Sequence, residues 1–112
     1  MTPALPETDA KRRADAWTAL EAIARRDRAV RIETLFEAEP DRVERLTLEA
    51  AGLWLDLSKQ AFTREGLEAC LALAEACDVP AWKRALFGGA AVNDTEGRAV
   101  LHPALRAPDG AH

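Results

Sequence analysis

The sequence predicts an α+β chain, mostly helical, with one early β-hairpin and no complete sheet. Three observations carry this. Apolar residues recur at helical spacing over most of the chain. Their period shortens from 3.6 to 2 between Leu46 and Leu57 and then lengthens again. Capping residues and Pro or Gly stops bracket each helical stretch.

Pro3 and Pro6 keep the first residues extended, and Thr8 or Asp9 is placed to cap a first helix carrying Trp17, Leu20, Ile23 and Ala24. Leu35 and Phe36 anchor a short second turn that Glu39-Pro40 ends. Leu46 and Leu48 then alternate with Arg45, Thr47 and Glu49, and Leu53, Leu55 and Leu57 alternate with Trp54, Asp56 and Ser58. Gly52 sits between the runs, where a turn needs positive φ, so the pair reads as a hairpin with one greasy face. Such a hairpin is marginal alone and needs a cover. Thr63 is placed to cap a helix from Arg64 with Glu65 at its positive end, its apolar stripe being Leu67, Cys70, Leu71, Ala74 and Cys77. Asp78-Val79-Pro80 breaks it, Pro80 suits the first position of a helix carrying Trp82, Leu86 and Phe87, and Gly88-Gly89 stops that one. Thr95 is placed to cap a final helix with Val100 and Leu101 facing inward, which Pro103 kinks or ends near His102.

At 112 residues there is room for one modest domain. The hydrophobic share of 48% includes 24 alanines, so the core is thinner than that figure implies. A formal net charge of −4 argues against nucleic acid as a partner. Lys11-Arg12-Arg13, Arg25-Arg26 and Arg28 are locally basic, but Asp9, Asp15, Glu21 and Asp27 are interleaved with them, which makes a solvated helix face a better account than an anion site. No apolar run approaches the roughly 18 residues a membrane span needs, and the N-terminus lacks a signal pattern, so a cytoplasmic chain is expected. Cys70 and Cys77 lie seven apart on one helix, about 10 Å in rise, too far for a disulfide. With no histidine at a ligand spacing, they are expected to be buried structural thiols.

The run Leu86-Phe87-Gly88-Gly89, then Val92-Asn93-Asp94-Thr95-Glu96-Gly97-Arg98-Ala99-Val100-Leu101-His102 and Ala104-Leu105-Arg106, resembles the glucose-6-phosphate isomerase family. Its pattern there is Asn-x-Thr-Glu-x-Arg-Ala-Val-Leu-His-x-Ala-Leu-Arg. Upstream, Trp17-Thr18-Ala19-Leu20, Leu35-Phe36 with Pro40-Asp41-Arg42, and Gly52-Leu53-Trp54-Leu55-Asp56-Leu57-Ser58-Lys59-Gln60 are similar to the family's earlier landmarks. The resemblance implies that residues 1–112 are the N-terminal portion of such an enzyme, ending before its catalytic regions, and that the parent fold is α/β with sugar-isomerase-type domains. It implies interconversion of glucose 6-phosphate and fructose 6-phosphate in glycolysis and gluconeogenesis, through ring opening and an enediolate. No metal or organic cofactor is implied, and the sugar phosphate substrate and a homodimer belong to the intact enzyme only.

No catalytic, cofactor-binding or metal-ligating residue is nominated. Glu96 and His102 are six apart, about 600° of helical turn, and point to different sides. They read as helix-start electrostatics and a structural histidine. Asn93 and Arg98 read as loop-holding hydrogen-bonding groups, Asp56 and Lys59 as a surface or capping pair, and His112 as a chain end. The isolated chain is expected to be inactive. Two other possibilities stay open: a stand-alone helical module that binds a protein partner without catalysis, and a piece that complements a separately encoded remainder.

Overall fold

A computed structural model describes residues 4–108. In order these form α1 (Ala10–Asp27), α2 (Ile32–Ala38), α3 (Arg42–Arg45), β1 (Thr47–Ala50), β2 (Leu53–Asp56), α4 (Arg64–Ala76), α5 (Val79–Phe87) and a 3-10 turn over Ala104–Arg106. The chain divides into two compact units, one over Trp17–Cys70 and one over the flanking segments 4–16 and 71–108. The mostly helical α+β expectation holds, with the hairpin as a two-stranded antiparallel sheet.

In the Trp17–Cys70 unit, β1 and β2 pair with Leu48 opposite Leu55 and Ala50 opposite Leu53. Alternation therefore places Leu48, Ala50, Leu53 and Leu55 on one face and Thr47, Glu49, Trp54 and Asp56 on the other. Ala51 and Gly52 link the strands with φ of 52° and 75°. Two positive φ values in a two-residue loop match the type I′ turn, whose twist suits a hairpin. Pairing continues past the strands, where the Leu57 N–H donates to the Leu46 carbonyl at 2.9 Å. Leu35 and Leu46 are the buried apolar residues here. Thr63 caps α4 as expected, its Oγ1 accepting the Gly66 N–H at 3.0 Å.

In the flanking unit, Asp9 is the cap of α1: its Oδ1 accepts the N–H groups of Lys11 and Arg12 at 3.0 and 3.1 Å. Pro80 takes the second rather than the first position of α5, because Asp78, at φ 51°, turns the chain one residue earlier. Gly88 and Gly89 end α5 as expected. Gly89 at φ 77° lets its N–H reach the Leu86 carbonyl (3.2 Å) and the Ala90 N–H reach that of Ala85 (2.9 Å). Both bonds of a Schellman ending are thus present. Ala76, Ala85 and Ala90 are the buried apolar residues of this unit.

Three expectations need correcting. No helix starts at Thr95: Asn93 and Arg98 exchange main-chain hydrogen bonds of 3.0 and 3.1 Å around a tight turn in which Gly97 sits at φ 62°. Pro103, lacking an N–H, instead leads into the 3-10 turn, and Leu101 is 61% exposed rather than inward. The cysteines are free but not buried; Cys70 is exposed and Cys77 half-buried, because the α4 stripe is only partly covered and Leu71 beside it is also exposed. The sequence offered no expectation for α3, whose four residues are too few for a periodic signal and whose Arg42 is held by the Ser58 and Gln60 carbonyls.

Candidate functional site

The best-formed polar site is built around Arg42, which is wholly buried. The short helix α3 points it at the loop after β2. Its Nε donates to the Ser58 carbonyl (2.6 Å), Nη2 to the Gln60 carbonyl (2.7 Å), and Nη1 to Glu39 Oε2 (2.8 Å). The Phe36 and Phe62 rings flank the guanidinium, with centroids 5.8 and 5.5 Å from its central carbon, within cation–π range. Arg45 Nη2 also donates to Glu39 Oε2 (2.6 Å), and the Arg64 N–H to Oε1 (3.0 Å), at the start of α4. One carboxylate thereby holds two helices and, through Arg42, the loop between them.

The geometry ties α3 and the start of α4 to the loop after β2. A general base needs a free lone pair and a pKa near the working pH. Burial pushes the Glu39 carboxyl up, but hydrogen bonds from Arg42 and the Arg64 N–H, with the charges of Arg42 and Arg45, outweigh it and leave the pKa below the ordinary value. Both of its oxygens are already occupied. The other perturbed carboxyls go the same way: Asp27 is lowered by Arg26 and Thr63, Asp41 by Arg64, and Asp56 by Ser58. None of these four is raised toward neutrality, the shift that favours a general base. Arg42, sealed from solvent, offers no donor to an incoming anion.

In the flanking unit Asn93 organises its turn. Its Oδ1 accepts the Thr95 hydroxyl (2.7 Å) and the Glu96 N–H (3.3 Å), and its Nδ2 donates to Glu96 Oε2 (3.4 Å). The structure thus brings Asn93, Thr95 and Glu96 together and pairs Arg98 through its main chain. His102 stays outside this group, exposed and beyond the turn. Asp56 is a cap, its Oδ1 accepting the Ser58 N–H at 2.8 Å, while Lys59 contributes only charge. The basic residues of α1 are exposed, and some are tied to acids, Lys11 to Asp15 at 2.7 Å and Arg26 to Glu65 at 2.6 Å.

An open cavity of about 680 Å³ lies between the end of α5 and the 3-10 turn, lined by Phe87, Gly89, Val100, Leu101, Pro103 and Ala104 among others. Its size suits a small ligand. Among the described residues its lining side chains are uncharged. Among the described residues, no group of three or more His, Cys, Asp or Glu side chains is arranged to hold a metal, and no helix is long and apolar enough to cross a membrane.

Arg42 and Glu39 went unnominated in the sequence. Their (i, i+3) spacing next to Pro40 is visible, but the carbonyls that fix the role of Arg42 lie 16 and 18 residues downstream.

The family described as phosphoglucose isomerase matches residues 56–111. A glucose-6-phosphate isomerase of Caulobacter vibrioides is 57% identical over 96 residues, covering 86% of this chain and 18% of its own length. One from Deinococcus deserti is 50% identical over 111 residues, 99% of this chain and 19% of its own. One from a Roseiflexus species is 52% identical over 95 residues, with 85% and 18% covered. The chain spans about a fifth of the length of these relatives.

Proposed function

The chain belongs to the phosphoglucose isomerase family, and we propose that it is the N-terminal portion of an enzyme interconverting glucose 6-phosphate and fructose 6-phosphate. The observation that carries this is the dense match of residues 56–111 to the family, which includes the Asn93–Arg106 motif. In that reaction the sugar ring opens, a carboxylate base moves a proton between C1 and C2, and positioned cations stabilise the enediolate between them. No metal or organic cofactor is required.

This chain's part is scaffolding. The Glu39–Arg42 cluster and the Asn93 turn hold loops in place, while the base, the ring-opening group and the phosphate site belong to the remaining length. The isolated chain is inactive on this reading. The pushed-down carboxyls, each engaged by donor groups of this chain, support that. The intact enzyme is a cytoplasmic homodimer acting in glycolysis and gluconeogenesis.

The test is a graft in which residues 1–112 replace the matching segment of the Caulobacter vibrioides relative. A coupled assay should find turnover comparable with the parent in the graft and none in the purified 112-residue chain. A folded but inactive graft would refute the scaffold role, and turnover that tracks the isolated chain through purification would refute its inactivity.

A further inference from the structure

We draw no further inference here: the strongest candidate, the cavity of about 280 Å³ between the end of α1 and the start of α4, is lined by both Asp27 and Arg28 beside Leu20, Ile23, Phe62 and Cys70, so its charges select neither an anion nor a cation and nothing in the structure shows what covers it.

Discussion

Arg42 directs every donor group it uses into the protein interior, which makes it the residue whose loss should be felt most. Removing one partner of a buried charge pair typically costs about 3–5 kcal/mol, because the other partner is left uncompensated. Arg42→Met in the graft should lose stability on that scale in urea unfolding, since Glu39 would keep only Arg45 and the Arg64 N–H while two carbonyls lose their donor. A loss below about 1 kcal/mol, the scale of an exposed ion pair, would mean the cluster is no anchor. Glu39 adds a pH signature. Its folded pKa lies below its ordinary value, so its stabilisation is present above the unfolded pKa of about 4.3 and is lost as pH falls through the lower, folded value. The stability gap between the parent graft and Glu39→Gln should stay constant above about pH 5 and close below about pH 4. A gap unchanged at pH 3 would refute the assignment. At the Asn93 turn, Asn93→Ala removes the acceptor of both the Thr95 hydroxyl and the Glu96 N–H. It should cost about 0.5–1.5 kcal/mol and exceed the cost of Thr95→Ala, the reverse of what a Thr95 helix cap requires. Thermal melts of the two variants decide between them.

At the scale of elements, the hairpin turn makes the sharpest prediction, because Ala51 holds φ 52° without the freedom of glycine. A left-handed conformation costs an ordinary residue roughly 1–2 kcal/mol, and asparagine, which relieves part of this, is the favoured first residue of a type I′ turn. Ala51→Asn should therefore raise the graft's stability by some tenths to about 1 kcal/mol. A destabilised melt would contradict the turn type. The same turn shows what sequence could and could not convey. The alternation of Leu46–Leu57 around Gly52 predicts the hairpin, and Thr63 and either Thr8 or Asp9 predict two helix starts, because each depends on chemistry within a few residues. The expected final helix fails for the same local reason. Thr95-Glu96 resembles a helix start, but the Asn93 side chain takes the Glu96 N–H, and Gly97 at φ 62° folds the chain back onto Asn93. Helix α3 was invisible because it is held by carbonyls far along the chain. The candidate site was legible only in part: Pro40-Asp41-Arg42 stood out as a landmark, but burial, which determines what Arg42 does, is not written in its neighbours.

Across the whole molecule, the buried apolar set decides how the isolated chain should behave. Among the described residues its members are Leu35, Leu46, Ala76, Ala85 and Ala90, so three of the five are alanines that contribute little transfer free energy. The larger apolar side chains lie largely outside: Trp17, Trp54, Leu71, Phe87 and Leu105 are 53%, 74%, 57%, 70% and 85% exposed. Ordering the backbone costs roughly 1–2 kcal/mol per residue, and that cost falls on every residue of the helices and hairpin alike. Fixed tertiary packing has little to offset it with. The local terms survive better, because caps such as Asp9 and Thr63 and the Schellman ending at Gly89 are made within single elements. The purified 112-residue chain should therefore keep its far-ultraviolet helical signal while showing weak near-ultraviolet bands from Trp17, Trp54 and Trp82, and it should bind a hydrophobic dye. In the graft the same three tryptophans should gain strong near-ultraviolet bands and the dye signal should fall, since the relative's further length would supply cover. A sharp cooperative melt of a dye-free monomer of the isolated chain would overturn this. It would mean that two leucines, three alanines and one buried arginine cluster suffice to fix a tertiary structure, and it would raise the standing of the non-catalytic binding module over that of an enzyme portion.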